Sequence, residues 1–130
     1  MISYIEIDGW RANIRFSSAH IIPEYDKCGR LHGHTYAIHA KIYGEMEENG
    51  IIVDFRFAKD ILKKIADELD HKILIPVKSP LVRIKEKEVR LSNGEKDYVF
   101  PLEDCALLPL RSSSAENLAN YVMDKFLESL

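Results

Sequence analysis

What the 130-residue sequence lacks narrows its function first. It holds no apolar run near the ~20 residues that a helix needs to cross a bilayer. Residues 1–10 alternate apolar and charged side chains and lack the apolar stretch of a secretory signal, so the expected location is cytoplasmic. Cysteine is scarce: Cys28 and Cys105 are the two, and in a reducing compartment both are expected as free thiols. Neither charge sign dominates. The net charge is −3, with basic residues scattered among acidic ones, which argues against a nucleic-acid-binding stripe. There is no internal repeat and no low-complexity tract. The length fits one domain spanning residues 1–130, and a hydrophobic content of 46% is enough for a core.

Period-two patterning reads residues 4–20 as one long strand. Trp10, Ala12, Ile14 and Phe16 share its even face, and a strand without a bulge puts His20 there too. Residues 21–31 read as a loop. Residues 32–44 read as a second strand, whose even face carries His32, His34, Tyr36, Ile38, Ala40 and Ile42. Residues 51–53 extend the sheet or lead into a helix. Asp54 suits the N-cap of a first helix, with Ala58, Ile61, Leu62, Ile65, Ala66 and Leu69 on its apolar face and its end near Asp70 and His71. Residues 81–100 predict a charged hairpin insertion around Asn93-Gly94, a surface decoration, followed by a loop with Pro101 and Pro109. Ser113 and Glu116 have capping-box spacing for a second helix, whose buried face is Ala115, Leu118, Ala119, Val122, Phe126 and Leu130.

These strands give the histidines a geometry. His32 and His34 leave one face of one strand, and His20 leaves the core-bearing face of another, so three imidazoles converge. Three protein ligands with an open fourth position is the arrangement of catalytic zinc; structural zinc is usually enclosed by four. Imidazoles also suit other first-row metals, of which zinc is the first choice. Gly33 permits a close approach of backbone or ligand between the two histidines. His39 has the opposite parity and is left out of the site. Taken alone, any one of these histidines reads more simply as a surface or hydrogen-bonded residue.

Cys28 lies four residues before His32 in a glycine-containing loop. A nearby cation lowers a thiol pKa and favours the thiolate, a competent base or nucleophile. Cys105, in an apolar run, reads as a packed and idle thiol. Asp70 beside His71 has the form of an acid–base pair, although charged residues and histidines also end helices for ordinary electrostatic reasons.

The segments FSSAH (16–20), CGRLHGH (28–34), VDF (53–55), LDHKIL (69–74) and SSAENLA (113–119) together resemble, in order, the 6-pyruvoyltetrahydropterin and 6-carboxytetrahydropterin synthases. That resemblance implies an α+β tunnelling fold: an antiparallel sheet with two helices on one face, the sheets of several subunits joining into a barrel, and two trimers stacked into a homo-hexamer. It implies zinc on His20, His32 and His34, catalysis by Cys28, and an acid–base pair of Asp70 and His71 that works with the cysteine of a neighbouring subunit. Ser114 and Glu116, in the last motif, are the candidates for substrate contact. The family's pterin-anchoring glutamate lies on strands after the second helix, and no residue of this sequence is assigned to it.

Three residues separate Cys28 from His32, a spacing that resembles the 6-carboxytetrahydropterin branch. The pyruvoyl branch usually has a longer gap, and a side-chain-cleaving branch of folate synthesis often has glutamate for the cysteine. The resemblance therefore implies a zinc-dependent lyase acting on 7,8-dihydroneopterin triphosphate. Its product would be 6-carboxy-5,6,7,8-tetrahydropterin, which leads to deazaguanine nucleosides such as queuosine. Two other readings stay open: a 6-pyruvoyltetrahydropterin synthase, and a non-catalytic pterin- or metal-binding module.

Overall fold

The computed structural model describes residues 1–25 and 29–130. The first strands are β1 (Ile2–Ile7), β2 (Arg15–His20), β3 (His32–Ala37) and β4 (Ala40–Glu45). Helix α1 (Phe55–Leu69) leads to β5 (Ile73–Pro76), and then come β6 (Val82–Lys85), β7 (Glu88–Ser92) and β8 (Asp97–Pro101). A 3-10 turn over Leu102–Asp104 precedes β9 (Cys105–Leu108), and α2 (Ala115–Glu128) is the last element.

The expected long strands are each broken in two. β1 pairs antiparallel with β4, and β2 pairs antiparallel with β3. Between β1 and β2 the Asp8 carboxylate accepts from the amides of Trp10 and Arg11, and Asn13 adopts φ 57°. This excursion shifts the inward set from the odd Ile5 and Ile7 to the even Ile14, Phe16 and Ser18. Trp10 is consequently exposed, contrary to its expected place on the core face, and the Arg15 guanidinium lies over its ring. The two pairs meet where the Ile38 amide donates to the Ile14 carbonyl at 2.9 Å. Gly9 lies against that crossing, and a Cβ there would stand 2.1 Å from the Ile38 carbonyl oxygen. The neighbour is backbone and does not yield, so Gly9→Ala is expected to lower the free energy of unfolding by about 1–3 kcal/mol, as overpacking does. Urea titration of the two proteins measures it.

The central sheet has the order β3-β2-β5-β9. It is mixed rather than antiparallel: β5 runs parallel to β2 and to β9. β5 and β9 are short apolar strands (ILIP, CALL) without alternation; β5 is buried on both faces, as such a run suggests, while Leu107 of β9 is exposed. Period-two reading therefore left 73–76 unassigned and placed 105–108 in a loop. Phe16, Leu74 and Leu108 meet α1 and α2 on one face through Leu62, Ile65, Leu118, Val122 and Phe126. Asp54 caps α1, its carboxylate accepting from the Phe57 amide, and residues 51–53 form no strand.

The α2 cap falls one residue later than the capping box predicts. Ser114 is the N-cap and accepts from the Asn117 amide, while Ser113 is buried behind it. The N3 position thus belongs to Asn117, and Glu116 stands exposed in the first turn. Ala115, Ala119 and Leu130 are exposed instead of buried: the helix presents Leu118, Val122 and Phe126 to the core, with Tyr121 packed beside them, and Leu130 lies beyond its end.

Residues 82–101 form a three-stranded meander, not a single hairpin. The extra turn lies at Glu86, with φ 56°, at a residue without turn-forming chemistry. Nor is the meander only decoration. Val89, Leu91 and Phe100 pack with Ile21, Ile73, Ile75 and Cys105 against the sheet face opposite the helices. β5 is covered on both sides, Leu107 of β9 is exposed, and of the β2–β3 pair it is β2 that packs on the helices while β3 is largely exposed.

Candidate active site

β2 and β3 bring the three histidines together. His20 stands opposite His32, and His34 opposite Ser18, so all three side chains leave the even face. Their ring centroids lie 4.6, 5.2 and 4.9 Å apart, and their ligand atoms all fall within 4.8 Å of one another. Nitrogens sharing a tetrahedral zinc stand about 3.3 Å apart; small ring rotations close that difference. His39 is outside the cluster and pairs with Glu6.

The backbone prepares two of the rings for a cation. His20 Nδ1 lies 2.8 Å from the Ser113 carbonyl, and His32 Nδ1 lies 2.7 Å from the Arg30 carbonyl. A carbonyl only accepts, so each Nδ1 carries the proton and each Nε2 keeps a lone pair for the ion. This is the outer-shell arrangement typical of metal-bound histidine. His20 is buried, His32 half-buried and His34 exposed, so the ligand set opens to solvent on one side. The donor set therefore fits a zinc ion with room for a further ligand.

Burial pushes the His20 pKa below its ordinary 6.5; the Ser113 carbonyl opposes this, and His32 and His34 add to the depression. A depressed histidine pKa means that the unfolded chain binds the proton first as pH falls through 6.5. Metal-free protein is thus expected to lose stability between pH 7 and pH 5, and His20→Asn to flatten that slope. Urea midpoints at several pH values test it.

Asp70 and His71 form the expected pair, with Nδ1 of His71 3.0 Å from Oδ2 of Asp70. The other carboxylate oxygen accepts from the Ser17 amide at 2.7 Å, and the His71 amide donates to the Ser17 carbonyl at 2.7 Å. Asp70 thus continues the ladder between β2 and β5 with its side chain. The Ser17 amide holds its carboxyl below the usual range, and the His71 ring acts in the same direction. An ionised Asp70 keeps the proton on Nδ1 and leaves Nε2 of His71 free to exchange one with a substrate.

The pair does not join the histidine cluster. His71 borders an open groove of about 460 Å³ with Ser17, Ser18, Gly33, His34 and Thr35, so one of the three ligand residues lines that groove as well. Gly33 keeps that groove open; a Cβ there would stand 3.2 Å from the Ser18 carbonyl. Within one protomer Asp70 and His71 therefore stay outside the three-histidine group, although His34 and His71 line the same groove. Cys28 lies outside the described residues. Cys105 has its thiol 3.4 Å from the Pro101 carbonyl, and burial pushes its pKa up to about 11, which disfavours the thiolate. The Ser113 and Arg30 carbonyls escaped sequence reading because a backbone acceptor has no side-chain signature.

Known proteins converge on the same identification. The family model for 6-pyruvoyl tetrahydropterin synthase matches residues 10–130. A Methanocaldococcus jannaschii protein, provisionally named 6-carboxy-5,6,7,8-tetrahydropterin synthase, is 39% identical over 129 residues, covering 97% of this chain and 79% of its own. The Aquifex aeolicus protein named 6-carboxy-5,6,7,8-tetrahydropterin synthase is 29% identical over 119 residues, covering 88% and 68%. The crystal structure of Plasmodium vivax 6-pyruvoyl tetrahydropterin synthase superposes with a TM-score of 0.86 at 27% identity, over 99% of this chain and 80% of that one. With the α+β tunnelling fold of those structures, this chain belongs to the 6-pyruvoyl tetrahydropterin synthase family.

Proposed function

We propose that the protein is a zinc-dependent lyase that converts 7,8-dihydroneopterin triphosphate to 6-carboxy-5,6,7,8-tetrahydropterin, a step toward deazaguanine nucleosides such as queuosine. The observation that carries this reading is the three-histidine cluster with two ring tautomers set by backbone carbonyls. The short interval from Cys28 to His32 and the names of the archaeal and bacterial relatives support the carboxy branch.

In this reading His20, His32 and His34 would hold the ion, His20 and His32 through the Nε2 that their carbonyl-bonded Nδ1 leaves free. Zinc bound there supplies Lewis-acid stabilisation of charge developing on side-chain oxygens of the substrate. Cys28 moves protons at the side-chain carbons. His71 serves as the second acid–base group, kept in its productive tautomer by Asp70. Ser114 and Glu116 sit at the α2 N-terminus, close in sequence to the Ser113 carbonyl that holds His20, and are the proposed substrate contacts.

The place of Asp70 and His71 outside the three-histidine group supports a site completed by a second copy. An exposed apolar surface including Tyr4, Tyr43, Ile51, Phe55 and Phe57 is the kind that subunit association covers. We accordingly propose a homo-hexamer built as a dimer of trimers. Mass spectrometry of the product from dihydroneopterin triphosphate tests the reaction. The mass of 6-carboxytetrahydropterin is expected; a pyruvoyl product would move the protein to the other branch.

A further inference from the structure

The β7–β8 turn of the meander reaches across to the segment that leads into His32, the first residue of β3. Asn93 is held there by three bonds. Its Oδ1 accepts from the amides of Glu95 and Lys96 at 3.0 and 2.7 Å, which closes its own turn. Its Nδ2 donates to the Gly29 carbonyl at 2.9 Å, 64 residues away in sequence. The next carbonyl along, that of Arg30, is the one that His32 Nδ1 contacts at 2.7 Å. Asn93 is half-buried, and the meander behind it is anchored by Val89, Leu91 and Phe100 on Ile21, the residue after His20.

We infer that Asn93 is a positioning residue for the metal centre. Its amide fixes the Gly29 carbonyl, and through it the Arg30 peptide that orients the His32 ring and sets its tautomer. The meander is then a buttress for the ligand loop, which gives the insertion a role in the chemistry. A short, directional, charge-neutral link suits this task, because it defines one carbonyl position without adding charge beside a cation. The inference rests on the three-histidine site proposed above.

The test uses the full-length protein with Co²⁺ and Zn²⁺ as probes. Asn93→Asp keeps the acceptor that closes the turn and replaces the Nδ2 donor with an oxygen facing the Gly29 carbonyl. Asn93→Ser retains a short turn-capping oxygen and also loses the link. Lys96→Ala, an exposed side chain in the same turn, is the control. Chelator competition is expected to show affinity about tenfold weaker for both Asn93 variants, the lower end of outer-shell effects, and unchanged for Lys96→Ala. Thermal melting of the metal-free proteins is expected to coincide. In long-range ¹H–¹⁵N spectra of the zinc-loaded variants, the His32 Nδ1 proton should exchange faster, with that of His20 unmoved. Metal affinity within twofold of the parent together with an unchanged His32 proton would overturn the role of Asn93 and leave the three-histidine site standing. A parent protein that binds neither ion would overturn both.

Discussion

Two inactive variants, Cys28→Ala and His71→Ala, are expected to restore activity to each other when their subunits are mixed. Each substitution alone removes a proton-transfer group, which typically costs about 10²–10⁴-fold in turnover. His71 lines an open groove with Ser17, Thr35 and His34 but does not join the three-histidine group. In the proposed hexamer a complete site would draw His71 from one subunit and Cys28 from another. Random reassembly of equal amounts leaves about a quarter of such sites with both native groups. Co-refolding the two variants and assaying turnover reads this directly. A mixture as inactive as its components would place the two groups in one subunit or remove one of them from the reaction.

The second large effect concerns the ligands themselves. His32→Ala with His34→Ala leaves one of three imidazoles, and His20 alone is a weak monodentate ligand. Metal affinity is expected to fall by well over the roughly 100-fold seen when an outer-shell partner is lost, and turnover with it. The fold should survive, because His34 is exposed and His32 half-buried, and neither belongs to either apolar cluster. Metal content after gel filtration and circular dichroism together separate loss of the site from loss of the fold. Tight metal retention by the double variant would mean that the ion sits elsewhere.

Much of this site was legible because it is written in side-chain parity. His20, His32 and His34 share an even face, and β2 and β3 keep that register through the site. Asp54 and the apolar stripe of α1 were legible for the same reason: a cap and a period of 3.6 are local signals. The long first strand failed at Asp8 to Asn13, although the switch of inward residues from Ile5 and Ile7 to Ile14 and Phe16 was there to be read. β5 escaped because a strand covered on both faces does not alternate, and β9 because four apolar residues are too short to show a period. The turn at Glu86 carries no residue that favours positive φ. The segregation of His71 from the ligands was not legible at all; it depends on how β5 lies beside β2, a long-range pairing with no local signature.

The central claim is that a metal ion on three histidines drives a lyase reaction. Elemental analysis of gently purified protein, paired with turnover of dihydroneopterin triphosphate before and after chelation, tests it most directly. About one zinc per chain is expected, with turnover lost on chelation and regained when zinc is returned. Protein that turns over the substrate at full rate with no bound metal would contradict the account.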